Sequence, residues 1–229
     1  FEDAYTWSDL NDIVNLVIYP SVSSVGDKGF LSFEKMTTVS LPETVESIGR
    51  MAFSHCISLK TIKFPNNLTR IGPNAFHFCS SLTVIRLPPN IRSIEEYAFA
   101  RTGIQTIVIP DTIKSINKFV FYQCANLREV KLPSNLEIID DSAFSNCPSL
   151  ESIVLPQSLE IIGSKAFYGT SLHAITIPKN IKSLGSTAFE SCTLLELIVI
   201  DNVLSFESRL FASCTLLTEI AIPSTVIRI

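Results

Sequence analysis

Charge is scarce in this chain. Only 17% of its 229 residues are Asp, Glu, Lys or Arg, and they leave a net −4. A weakly acidic chain has no general attraction for nucleic acid or an anionic membrane. No run approaches the roughly eighteen consecutive apolar residues of a spanning helix, so no direct membrane insertion is expected. The first ten residues, FEDAYTWSDL, are acidic and lack both an initiator Met and an apolar core. They do not read as a signal peptide, and the chain reads as processed or cut from something longer.

Signals of chemistry are missing too. The only histidines are His55, His77 and His173, none at a recognised spacing from a nucleophile. There is no G-x-S-x-G, no P-loop and no G-x-G-x-x-G. Glu95/Glu96 and Asp140/Asp141 are paired acids, but they fall in turns, where charge is expected. The six cysteines are spaced 23, 45, 23, 45 and 22 residues apart, with no C-x-x-C. Four zinc ligands must converge tetrahedrally, whereas a ladder of like residues points its side chains in parallel. No catalytic residue, cofactor or metal is expected, and the chain reads as a non-enzyme.

What the sequence has is period. Proline stands at 20, 42, 65, 88, 110, 133, 156, 178 and 223, with Asp201 filling the gap. Phenylalanine stands at 30, 53, 76, 99, 121, 144, 167, 189 and 211. Both series step by 22 or 23 residues, the signature of a solenoid. The unit reads L-x-x-I-x-L-P-x-N-L-x-x-I-G-x-x-A-F-x-x-C, as in Leu59 to Cys79. Its I-x-L portion alternates like a half-buried strand. Proline, lacking an N–H, ends that strand. Gly26, Gly49, Gly72, Gly163 and Gly185 share one later register with Asn117 and Asp140, so a left-handed backbone is expected there; Glu95 is an exception. The A-F-x-x-C segment suits a single 3₁₀ or helical turn. No unit can bury its apolar side alone, so stacking must do it.

Leu59–Pro65 and Ile71–Cys79 carry a resemblance to the leucine-rich repeats, specifically the BspA-like (Treponema pallidum-type) family, over about residues 13–229. The commoner leucine-rich repeat has one more residue after its asparagine than stands after Asn67, Asn90, Asn135 and Asn180. The resemblance implies a mainly β solenoid of right-handed coils, with short parallel strands and 3₁₀ or single-turn helical segments. Residues 13–229 form one domain of nine to ten repeats on this reading, truncated at the C-terminus because Pro223, Val226 and Ile229 start a unit that stops halfway. Residues 1–12, with Trp7, read as an N-terminal cap or the end of a preceding segment.

Cys56/Cys79, Cys124/Cys147 and Cys192/Cys214 fall on adjacent coils, close enough to bridge. Parallel projection gives poor disulfide geometry, and the favoured reading is six buried free thiols. Phe33, Thr102 and Thr170 occupy the same column, so the position is expected to need only a small or apolar filler. Thr102 and Thr170 sit in units one residue short, 68 residues apart, which suggests expansion by triplets or chance placement. The sequon Asn67-Leu68-Thr69 is a glycan site only in a secreted chain. Asn67 also belongs to a polar column with Thr44, Asn90, Thr112, Asn135, Ser158 and Asn180, expected to hydrogen-bond turn backbone between coils.

Binding is expected on the outward face of the first strand, at the residues two and four before each proline. That face carries Lys63, Arg86 and Lys131, with Lys60 and Arg128 at its edge, and then Val154, Thr176, Leu197 and Val199. A basic half followed by an apolar half is a candidate contact surface for a protein or glycan partner. The family resemblance implies a non-catalytic, adhesion-type binding module at the cell surface or secreted, facing host matrix or other cells. An intracellular, cytoplasmic scaffold is the alternative, favoured by apparently reduced thiols.

Overall fold

The computed structural model describes residues 12–200, 207–221, 224 and 226. Trp7 and most of the N-terminal segment, and most of the half-unit from Pro223 to Ile229, lie outside the described residues.

Two ladders of short parallel strands run along the stack. The first holds β1 (Asn15–Val17), β3 (Thr38–Ser40), β5 (Thr61–Lys63), β8 (Thr106–Val108), β10 (Glu129–Lys131), β13 (Ala174–Ile177) and β15 (Leu197–Ile200). The second holds β2 (Ser24–Val25), β4 (Ser47–Ile48), β6 (Arg70–Ile71), β7 (Ser93–Ile94), β9 (Ser115–Ile116), β11 (Ile138–Ile139), β12 (Ile161–Ile162) and β14 (Ser183–Leu184). Equivalent residues pair across coils, as Val39 with Ile62 and Ile48 with Ile71. This is the solenoid that the repeat implied, mainly β and without helices among the described repeats.

The core is a set of columns. Phe53, Phe76, Phe99, Phe121, Phe144, Phe167 and Phe189 are fully buried. Each ring stacks on the next with centroids 5.3–6.0 Å apart, and Phe30 and Phe211 continue the column at its ends. Offset-stacked rings at such separations add roughly 0.5–1.5 kcal/mol per pair beyond burial. Ile62, Ile85, Ile107, Val130, Ile153, Ile175 and Ile198 point inward from the first strand and are buried, while the residues on either side face out. The period-two alternation therefore sets the outward face.

Between the ladders, each A-F-x-x-C segment folds as successive i→i+3 turns. Ala52 N–H donates to Gly49 O, Ser54 N–H to Met51 O and Cys56 N–H to Phe53 O. Alternate N–H groups reach the next coil instead, as Met51 to Pro73 O, Phe53 to Ala75 O and His55 to His77 O. In the segment from Met51 to Cys56 every backbone donor thus finds a partner, within the coil or across it.

The left-handed residues are not in the register of Gly26, Gly49, Gly72, Gly163 and Gly185. Positive φ falls two residues after the glycine register, at Met51, Asn74, Tyr97, Phe119, Ser142 and Lys165, and again just before the cysteine column, at His55, Phe78, Arg101, Gln123 and Asn146. Gly49, Gly72, Gly163 and Gly185 are there for space. A Cβ on Gly49 would lie 2.6 Å from Asp27 Oδ1, and one on Gly185 would lie 2.3 Å from Ser164 N. Where Asn117 takes this register, its side-chain amide donates to Ile94 O at 2.8 Å, and the ladder between β7 and β9 is interrupted. Glu95, in the same register, forms a two-pronged ion pair with Arg70 at 2.5 and 3.0 Å.

Candidate functional site

The cysteine column does more than fill space. The six thiols are free and buried. Cys56, Cys79, Cys124, Cys147, Cys192 and Cys214 each donate S–H to a phenylalanine carbonyl of the preceding coil, at 3.0–3.1 Å. Thr102 and Thr170 donate instead to Phe99 O and Phe167 O of their own coil, at 2.8 and 2.9 Å. The column selects a small side chain carrying a donor, which corrects the expectation of an indifferent filler. Phe33, near the N-terminal end of the stack, packs edge-on against Phe30 at 5.5 Å. Burial pushes Cys124 and Cys214 up to about 11 and raises Cys79, Cys147 and Cys192, so these are poor nucleophiles.

The polar column behaves as expected. Asn67 donates to Glu43 O, Asn90 to Asn66 O, Asn135 to Asp111 O, Ser158 to Ser134 O and Asn180 to Gln157 O, all at 2.8–3.0 Å. Asn67 is exposed, but its amide nitrogen already serves this inter-coil bond.

A strip of rings on the turn face escaped the sequence reading. His55 and His77 lie edge to face at 5.8 Å, Phe78 stacks on His55 at 4.8 Å, and the Arg101 guanidinium sits 4.6 Å above Phe78. Tyr97 and Phe119 stack at 4.4 Å, with Tyr122 edge-on to Phe119 at 5.6 Å. Burial, and then the charges of His55 and Arg101, hold His77 down to about 4. Ser54 Oγ lies 3.0 Å from His55 Nδ1, and Ser54 is buried, 1% exposed. Among the described residues no three His, Cys, Asp or Glu gather as metal ligands, and no helix is long and apolar enough to cross a membrane.

The outward strand face carries the residues singled out from sequence. Lys60, Lys63, Arg86, Arg128, Lys131, Val154, Thr176, Leu197 and Val199 are all exposed. Val154 is 85% exposed and Leu197 57%. Among the described residues none of those five cations has a carboxylate within 4.0 Å; Lys28, Arg50, Arg92, Arg101 and Lys165 share that state, whereas Lys35, Arg70, Lys114, Lys118, Lys182 and Arg209 are ion-paired to Asp or Glu. The cations of this face are thus left uncompensated by the fold.

The first ladder is also interrupted twice on this face. Val84 makes only isolated bridges to Thr61 and Thr106, and residues 152–154 form no strand at all. Ser152, Ile153 and Val154 make no backbone–backbone hydrogen bond among the described residues. A groove of about 460 Å³ opens there, with Glu129 and Lys131 on one wall and Ser152 and Val154 on the other. It falls at the border between the basic half and the apolar half.

This architecture has solved counterparts. A leucine-rich repeat protein from Bacteroides ovatus superposes with a TM-score of 0.71 at 26% identity, over 94% of this chain and 70% of that one. One from Eubacterium ventriosum gives 0.64 at 24% identity, over 93% and 67%. A pneumococcal vaccine antigen gives 0.53 at 21%, over 93% and 73%. No curated protein matches. The family described as BspA type leucine rich repeat region matches residues 3–128 and 114–229, in six copies. The stacked phenylalanines, the proline-ended strands and the cysteine column are therefore this chain's version of a shared repeat, and the chain belongs to the BspA-type leucine-rich repeat family.

Proposed function

We propose that the chain is a non-catalytic binding module that meets its partner through the outward strand face, in a cell-surface or secreted setting. A solenoid spends its interior on stacking and leaves its surfaces for function. The observation that carries the reading is the set of five cations without ion pairs, continued along the same face by exposed Val154, Leu197 and Val199. Unpaired surface cations steer and orient a partner of opposite charge. The surface setting comes from the family resemblance alone.

The test uses K63E/R86E/K131E combined with V199E, with circular dichroism as the check on folding. Immobilised host-matrix proteins and own-cell surface extracts are offered to both proteins. The parent is expected to retain partners that the variant loses. Equal retention by a folded variant overturns the reading.

One observation favours an intracellular scaffold instead: six free thiols suit a reducing compartment. Protease shaving of intact source cells separates the two. Release of the repeat region supports the surface setting, and full protection supports the scaffold.

A further inference from the structure

We propose that the occupant of the strand face is an extended polypeptide segment, acidic over one part and apolar over the other, lying along the stack from Lys63 to Val199. This rests on the reading of that face as the contact surface. It goes further by choosing between a polypeptide and an anionic glycan.

The choice follows from the order of chemistry in one column. Lys63, Arg86 and Lys131 precede Val154, Thr176 and Val199 at equivalent outward positions. The pairings Ser40 with Lys63, Val108 with Lys131 and Thr176 with Val199 show that register within the paired strands. With Lys60 and Arg128, the first half presents five cations against one outward carboxylate, Glu129. In the second half the column itself carries no charge, and the edge positions equivalent to Lys60 and Arg128 hold exposed Glu151 and Glu196, which a polyanion would meet unfavourably. A polyanionic glycan satisfies the first half and leaves the exposed valines facing its hydration shell. Only a chain able to change character along its length matches both, and a polypeptide does this with acidic and then apolar side chains.

The dimensions agree. Six coil steps of roughly 4.8 Å separate Lys63 from Val199, about 29 Å, which an extended chain spans in about nine residues. The groove beside residues 152–154 lies where such a segment changes character.

Selection from a displayed library of random peptides, roughly nine to twelve residues long, tests the inference with the purified chain. The enriched peptides are then synthesised, in the selected order and with their two blocks exchanged. Anisotropy titrations use the parent, K63E/R86E/K131E and V154E/V199E, each checked for folding. Heparin is titrated in parallel. The expected result is peptides with separate acidic and apolar blocks in one order, weakened about tenfold or more by each variant and by block exchange. Enrichment without an acidic block, equal binding after block exchange, or no enrichment overturns the inference. Heparin binding lost in K63E/R86E/K131E, with no peptide selected, overturns the polypeptide but keeps the face. Indifference of every ligand to both variants overturns both.

Discussion

Cys124 donates its S–H to the carbonyl oxygen of Phe99 at 3.1 Å, across one coil boundary. That oxygen also accepts from Thr102 Oγ1 at 2.8 Å, and Thr102 lies 3.4 Å from Cys124 Sγ. The cysteine column is thus a line of weak hydrogen bonds that ties each cysteine-bearing coil to the one before it. In Cys79→Val the donor is lost while an apolar side chain about one methyl group larger fills the site. The expected cost is about 0.5–1.5 kcal/mol in urea denaturation, the net worth of one buried hydrogen bond. No change in midpoint would return the column to simple packing.

The same burial governs reactivity. Thiols pushed up to about 11, as at Cys124 and Cys214, stay protonated at neutral pH. A maleimide or disulfide reagent is expected to leave the folded protein unlabelled and to label six thiols after denaturation, as counted by intact mass. Three bridges would give no labelled thiol in either state without reductant.

The glycine register separates space from backbone freedom. A Cβ on Gly163 would lie 2.5 Å from Asp141 N, and the backbone of the neighbouring coil has nowhere to move. Gly163→Ala is expected to destabilise by about 1–3 kcal/mol or more through overpacking. Gly26 has nothing within 4 Å of its added Cβ and no positive φ. Gly26→Ala is expected to be neutral or to stabilise by about 0.4–1 kcal/mol, through the unfolded chain. Equal effects at the two positions, measured by thermal denaturation, would refute this account.

Much of the fold was legible because each coil repeats its own register marks. Pro65 and Phe76 recur as Pro88 and Phe99, and their phase assigns strand, turn and facing without reference to any distant contact. The outward positions of Lys63, Arg86, Lys131 and Val199 followed from alternation alone. The left-handed residues were missed because their occupants, Tyr97, Phe119 and Phe78, are not residues that advertise such a backbone. Cross-coil N–H bonds hold them there despite the local cost. The ring strip was missed for a related reason. His77 and Tyr122 follow their core phenylalanines by one residue whereas Tyr97 precedes its own by two, and these rings meet only when coils stack. The gap at residues 152–154 has no mark in the sequence, since Ser152-Ile153-Val154 alternates like every other strand.

The ring column should report the one-dimensional character of the fold. Phe144 is fully buried between Phe121 at 5.3 Å and Phe167 at 5.6 Å. Phe144→Ala removes both contacts and opens a cavity, and is expected to cost about 3–5 kcal/mol. Phe30 sits near the end of the column and is only partly buried, so Phe30→Ala is expected to cost less. Circular dichroism in urea should also show a broadened or split transition for Phe144→Ala alone, because repeats couple only to their neighbours. A single sharp transition at the parent midpoint would sink this view.

His77 supplies a pH dependence whose sign is set by its surroundings. Its folded value is near 4, below the ordinary 6.5, because burial and the nearby His55 and Arg101 disfavour the imidazolium. The folded protein therefore keeps His77 neutral at pH values where the unfolded chain already takes up a proton. Unfolding binds the extra proton between about 6.5 and 4, so the stability associated with neutral His77 is present above that window and falls as pH drops through it. Below the window both states are protonated and this contribution stops changing. Replacing His77 by Phe keeps a ring beside Phe78 and Tyr97 and removes the titration. The urea midpoint of His77→Phe is expected to fall less between neutral pH and pH about 4 than that of the parent. Parallel pH profiles for the two proteins, or an NMR titration placing His77 near 6.5, would refute it.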